Sequence, residues 1–151
     1  MTDRSRRMLA ELDPRAQATF RDFLDRLDMV LHDDQYIVFE GRRTVAVQRA
    51  YFAQGREPLE EVNRLRAAAG LWLLRSENDN RRQITWTMQS KHIDGLAMDV
   101  LPVNGRGQPT WDLAHFGWQF ETIRNCGRAA GLICGADWSP PHVDWPHYEI
   151  R

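Results

Sequence analysis

The sequence predicts an α+β protein, a small antiparallel sheet flanked by helices. Three observations carry this: short β-rich runs at Tyr36–Phe39, Ala97–Val103, Leu132–Cys134 and His147–Ile150; helical apolar periodicity in the long segments between them; and turn residues that suit hairpins better than parallel crossovers. At 151 residues the chain is long enough to bury a core and reads as one domain over 1–151, with a helical extension over about 1–34.

Asp13-Pro14 pairs a capping residue with proline at the first helical position, and Phe20, Phe23, Leu24, Leu27, Val30 and Leu31 follow at helical spacing. Tyr36–Phe39 is a strand closed by Glu40-Gly41. Thr44 caps a second helix that ends near Gly55, which places Arg43 where a strand hands over to a helix. Leu59, Val62, Leu65, Leu71, Trp72 and Leu74 predict a helix across 58–75, weakened by Gly70 in its middle, and the polar run 76–82 predicts an exposed loop. Asn104–Gly107 supplies the turn of a hairpin that returns through Thr110-Trp111. Leu113–Ala130 reads as a helix with Gly131 as its C-terminal cap, followed by a buried strand at Leu132–Cys134, a loop over 138–146 and a last strand at His147–Ile150.

The net charge of −1 gives no global basic field for nucleic acid. No run approaches the roughly 20 apolar residues of a membrane span. Arg6-Arg7 precedes charged residues where the apolar part of an export signal belongs, so synthesis and folding in the cytoplasm are expected. Cys126 and Cys134 are too few for a disulfide framework and read as reduced core thiols.

The chemistry-bearing residues gather in two stretches, Ser90-Lys91-His92-Ile93-Asp94-Gly95-Leu96-Ala97-Met98-Asp99 and Asp144-Trp145-Pro146-His147-Tyr148-Glu149. His92, Asp99 and His147 supply two imidazoles and a carboxylate, a set that zinc accepts while leaving a position for water. Asp144, three residues before His147 with Pro146 stiffening the loop, and Glu149, two residues after it on the same strand face, both compete for the role of general base. Gly95 suits a tight turn between the first two ligands. Ser90 stands close enough in sequence to orient one of them.

SKHIDGLAMD resembles the Ser-x-His-x-x-Gly-x-Ala-x-Asp signature of the VanY-like D-Ala-D-Ala carboxypeptidases and L-alanyl-D-glutamate endopeptidases, and DWPHYE is similar to the element that closes their site. Glu40–Thr44 with Gln48 and Gly55-Arg56, and Gly131-Leu132 through Gly135–Trp138, resemble further family segments in order. The likeness spans about 36–150 and implies the D,D-peptidase/hedgehog-like fold, with one Zn2+ on His92, Asp99 and His147. It further implies Asp144 as catalytic acid/base and Arg43 as oxyanion or substrate partner, with Ser90, Gln48, Asp94, Trp138 and Glu149 around them. The implied reaction is zinc-assisted attack of water on a peptide carbonyl of the peptidoglycan stem peptide. An L-alanyl-D-glutamate endopeptidase of the endolysin kind, reaching the wall through a holin, is the leading expectation. A D,D-carboxypeptidase and a zinc-stabilised binding module are the alternatives. Ile93-Asp94 replaces the Asn-Tyr common in the family, and 57–83 is longer than its usual counterpart, so both are expected to shape the pocket.

Overall fold

The computed structural model describes residues 1–32 and 34–151, so Asp33 of the expected N-terminal extension lies outside the described residues. They form two compact units, one of 1–42 with 94–151 and one of 43–93. No helix among the described residues is long and apolar enough to cross a membrane.

The first unit opens with α1 (Asp3–Glu11), a separate helix within the stretch of about 1–34 expected to be helical. Its signals were small: Thr2 accepts from Ser5 N at 3.2 Å as N-cap, and among many charges only Leu9, with Leu12 just past the end, marks the buried stripe. α2 (Pro14–Val30) begins as predicted, Asp13 Oδ1 accepting from Arg15 N at 2.9 Å, and it buries Ala16, Phe20, Phe23, Leu24 and Leu27. Val30 is exposed, whereas Leu31, the C-cap, is buried. Strands β1 (Tyr36–Glu40), β2 (Ala97–Pro102), β3 (Ile133–Cys134) and β4 (His147–Glu149) form an antiparallel sheet in the order β1-β2-β4-β3. α6 (Leu113–Ala129) ends before Gly131, whose φ of +83° is the left-handed conformation of a helix terminus.

Alternation along the strands divides the side chains between two faces. Tyr36, Val38, Met98, Val100, Cys134 and Tyr148 join the helix residues in the main core, so Asp99, His147 and Glu149 belong to the opposite face. Gly127 lets α6 close onto that core, since a Cβ there would lie 2.7 Å from the Tyr148 ring. Both cysteines are free, and burial pushes the Cys134 thiol up to about 11, consistent with inert core thiols.

The predicted hairpin around Asn104–Gly107 is present but shorter than expected. The turn forms, with Gly107 N donating to Asn104 O at 2.9 Å, but the return is a single bridge between Val103 and Pro109. Asn104 N donates to Gln108 O at 2.8 Å and Thr110 N to Pro102 O at 3.0 Å, so the return pairs as far as Thr110, while β2 itself has β1 and β4 as its sheet neighbours. Sheet neighbours are joined instead through long excursions, with α6 and β3 standing between β2 and β4 in the chain.

The second unit holds α3 (Val45–Ala53), capped as predicted by Thr44, whose hydroxyl accepts from Val47 N at 3.2 Å. α4 covers Leu59–Ala68, shorter than the 58–75 expected. Gly70 is its terminator rather than a weak point in its middle: φ is +72°, Gly70 N donates to Ala67 O at 3.1 Å and Leu71 N to Arg66 O at 2.8 Å, the paired bonds of a Schellman ending. Trp72 is consequently exposed, and Leu74 packs with Ala53 and Val62. The segment 76–82 contains a single helical turn, α5 (Glu77–Asn80), capped by Ser76. Its Asn80 is buried, accepting from Gly55 N at 3.3 Å and donating to Glu57 O at 2.9 Å.

Candidate metal centre and active site

Asp99 and His147 reach one another through strand register, since they are directly paired across β2 and β4. Side chains of such a pair share a face, and His147 Nδ1 stands 3.3 Å from Asp99 Oδ1. His92 lies in the turn after Ser90, where Ile93 N donates to Ser90 O at 2.9 Å and His92 N approaches Ser90 Oγ at 3.4 Å. Gly95 follows with φ +69°, and a Cβ there would lie 2.8 Å from Asp13 N, so both its conformation and its surroundings require glycine.

One ligand atom from each of His92, Asp99 and His147 lies within 4.8 Å of the others, and both histidines are buried. Two donors on a tetrahedral zinc at ordinary bond lengths are about 3.4 Å apart, which the separation of Nδ1 and Oδ1 matches. The donor set and its spacing therefore fit zinc.

Asp144 is set three residues before His147 by a turn in which His147 N donates to Asp144 O at 3.2 Å. Asp144 N donates to Gly135 O at 3.0 Å, and Pro146 O accepts from Val100 N at 2.9 Å, so the turn is tied at both ends. Gly135 makes the first tie possible: a Cβ there would lie 2.4 Å from Asp144 O and 3.0 Å from His147 Cβ. The 3-10 turn Gly135–Asp137 is in turn anchored to α6, Asp137 accepting from Arg124 Nε at 2.7 Å and from Arg128 Nε at 2.8 Å. Those two guanidiniums hold the Asp137 carboxyl below its usual range. The sequence reading did not single out Gly135, Arg124 or Asp137 as supports of the site. The spacing of Arg124 and Arg128, one helical turn apart, was the available signal.

Glu149 lies on the same face as His147, and its Oε2 is 3.0 Å from His147 Nε2. Burial alone would lower the pKa of His147, but hydrogen bonds to Asp99 and Glu149 and the charges of Asp99 and Asp144 outweigh it and push it up to about 9 in the metal-free protein. The Trp138 ring sits 4.9 Å from the His147 ring, tilted at 43°. Asp94 is exposed.

Within the second unit, Arg43 Nη1 donates to Gln48 Oε1 at 2.7 Å, and its guanidinium lies 5.0 Å from the centre of the Tyr51 ring. Gln48 is completely buried, and its amide nitrogen donates to Thr87 O at 2.6 Å. Arg43, two residues before α3, is thereby held by Gln48 of the helix's own first turn, which is itself tied to the loop over 85–87. Arg43 N also donates to His92 O at 2.9 Å.

Residues 83–150 match the profile of a family described as D-alanyl-D-alanine carboxypeptidase. This segment contains all three residues of the metal group. Over that stretch, close to half of its length, the chain is similar to D-alanyl-D-alanine carboxypeptidases. Its fold is that of the L-Ala D-Glu endopeptidase ChiX of Serratia marcescens, which it matches at a TM-score of 0.56 and 21% identity over 100% of this chain and 89% of that one. Two further structures are similar in part. The vancomycin-resistance D,D-pentapeptidase VanY, an E175A mutant with Zn(II), gives a TM-score of 0.47 and 22% identity over 91% and 71% of the two chains. VanYB in complex with D-alanine-D-alanine gives 0.48 and 21% over 91% and 70%. No curated protein matches the chain by sequence.

Proposed function

We propose that the protein is an L-alanyl-D-glutamate endopeptidase of the peptidoglycan stem peptide, with His92, Asp99 and His147 holding one zinc ion, Asp144 as acid/base and Arg43 as the oxyanion's partner. The observation that carries the reading is the pairing of a compact His-Asp-His group with a carboxylate three residues before its last member, on a turn tied to Gly135 and Val100.

Bound zinc would polarise the scissile carbonyl and make water more acidic. Asp144 accepts the proton of the attacking water and returns it to the departing amine, so the carboxylate ends the cycle as it began. Arg43, a permanent cation, supplies charge to the carbonyl oxygen as it becomes negative. Gln48 orients the guanidinium, and Trp138 and Asp94 are assigned to contacts with the peptide.

Cleavage after L-alanine is favoured by the aspartate at position 144 and by the whole-length likeness to ChiX, itself an L-Ala D-Glu endopeptidase. The D,D-carboxypeptidase reading has one observation of its own, the description of the family matched by 83–150. Digestion of purified sacculi followed by mass spectrometry separates the two. New L-alanine C-termini and D-glutamate N-termini are expected, and release of D-alanine alone would establish the carboxypeptidase. Asp144→Ala should retain zinc and lose about 10²- to 10⁴-fold in rate; undiminished hydrolysis would remove Asp144 from the mechanism.

A further inference from the structure

Both ring nitrogens of His147 face carboxylates, Nδ1 at 3.3 Å from Asp99 Oδ1 and Nε2 at 3.0 Å from Glu149 Oε2. A neutral imidazole carries one N–H and one lone pair, so it can serve a metal through one nitrogen only while the other keeps its proton. The arrangement of the two strands distinguishes these nitrogens. Asp99 is the cross-strand partner of His147 and a member of the metal group, whereas Glu149 is paired across the sheet with Ala97 and Ile133.

We propose that Glu149 is a positioning residue: its carboxylate accepts the Nε2 proton of His147, fixes the ring's tautomer and dedicates Nδ1 to the metal. The inference rests on the zinc site proposed above and adds a role that the ligand set does not specify. Three features support it. Glu149 aims Oε2 at His147 Nε2 and at no other side chain among the described residues. Its cross-strand neighbours Ala97 and Ile133 are apolar and bring no competing donor. Its side chain is 17% exposed and that of His147 9%, so water screens the contact weakly. Nδ1 and Nε2 lie on opposite sides of the ring, so a carboxylate bonded to Nε2 is directed away from whatever Nδ1 holds. This geometry separates Glu149 from the role of general base, which falls to Asp144. Carboxylate–histidine–metal pairs of this kind typically contribute 10- to 100-fold to metal affinity.

Zinc affinity measured by competition with a chromophoric chelator tests the proposal, using the full chain and its Glu149→Ala, Glu149→Gln and Asp144→Ala variants. Thermal unfolding of each metal-free variant checks that it folds. Glu149→Ala should bind zinc about 10- to 100-fold more weakly. Glu149→Gln should recover most of the loss, because its amide oxygen still accepts from Nε2, and Asp144→Ala should bind as wild type. Unchanged zinc affinity in Glu149→Ala would overturn the proposal, and a loss of hydrolysis alone in that variant would make Glu149 the base. Equal losses in Glu149→Gln and Glu149→Ala would make it a metal ligand. Long-range ¹H–¹⁵N correlation of zinc-loaded wild type gives a reading independent of any variant: protonation of His147 at Nε2 is expected, and at Nδ1 would refute the assignment. If wild-type protein held no zinc, the metal reading itself would fall and take this role with it, an outcome distinct from each of the others.

Discussion

The two units place polar side chains by different means. In the first, Asp99, His147 and Glu149 stand on one face of adjacent strands, and register alone brings them together. In the second, Gln48 and Arg66 are buried polar groups held by backbone carbonyls of irregular segments, Gln48 by Thr87 O and Arg66 by Trp72 O at 2.7 Å. A ladder fixes its side chains through many shared hydrogen bonds. A buried amide depends on one or two. The first arrangement should therefore break when the backbone is forced apart, and the second when a single polar atom is removed.

The sharpest way to break the sheet-borne arrangement is Gly135→Ala. Its Cβ would lie 2.4 Å from a backbone oxygen, Asp144 O, which cannot rotate away as a side chain can. Overpacking of this severity should destabilise by about 3 kcal/mol or more. Because the displaced turn carries Asp144 and His147, activity should fall even at temperatures where the variant remains folded. Chemical denaturation paired with a sacculus assay checks this; a variant with wild-type midpoint and rate would show that the tie to Gly135 is dispensable.

Slightly smaller is the pH dependence of the metal-free protein. His147 has its folded pKa raised to about 9, against an ordinary value of 6.5. A raised pKa means that the folded state holds the proton more tightly. The resulting stability is fully present below pH 6.5 and disappears as pH rises through 9. It should amount to on the order of 3 kcal/mol, read as a decline in unfolding free energy across that window in chelator-treated protein. His147→Gln should flatten the decline. Zinc should compete with the same proton, so its affinity should rise with pH over that interval.

Breaking the second arrangement takes one amide. Gln48→Ala removes the acceptor of the Arg43 Nη1 bond and the donor at 2.6 Å to Thr87 O, which keeps only the long contact from Thr85 Oγ1 at 3.4 Å, and weakening buried polar pairs in this way costs about 1–3 kcal/mol. The activity loss should exceed what the stability loss explains, because Arg43 gains freedom it does not have in the native protein. Gln48→Glu restores an acceptor for Arg43 but not a donor for Thr87 O, so it should rescue rate more than stability. Equal rescue of both would mean that the Arg43 contact has no part in turnover.

The same contrast explains what could be read from the residues. Asp13, Thr44 and Gly131 mark helix ends by chemistry local to a few residues, and the alternation of Met98 and Val100 with Ala97 and Asp99 marks two sheet faces, so these elements and the metal group were legible in advance. The likeness of 90–99 and 144–149 to a family signature favoured Asp144 over Glu149 as the proposed acid/base. Long-range choices were not legible. The hairpin at Asn104–Gly107 forms as its turn residues predict, yet its length, one bridge rather than a strand, is not written in them. Gly135 and the Asp137 clamp on Arg124 and Arg128 act through the Asp144 turn, which no local pattern announces. Asn80 lay in a polar run that reads as solvated, and its burial follows from two backbone partners at residues 55 and 57.

The smallest effect separates local termination from tertiary packing in the second unit. Gly70 is left-handed at φ +72° with nothing within 4 Å of where a Cβ would stand, so Gly70→Ala introduces conformational strain without a clash. The left-handed region costs a non-glycine residue roughly 1–2 kcal/mol, partly offset by the reduced freedom of an alanine in the unfolded chain. A net loss of about 1 kcal/mol is expected, with zinc affinity and hydrolysis unchanged. A larger loss would mean that the exit of α4 also sets the seat of Leu74 against Ala53 and Val62, since the two paired bonds at Gly70 and Leu71 aim the chain toward that cluster. Replacing Leu74 with alanine in the same background would then show non-additive losses, the signature of two residues acting on one contact.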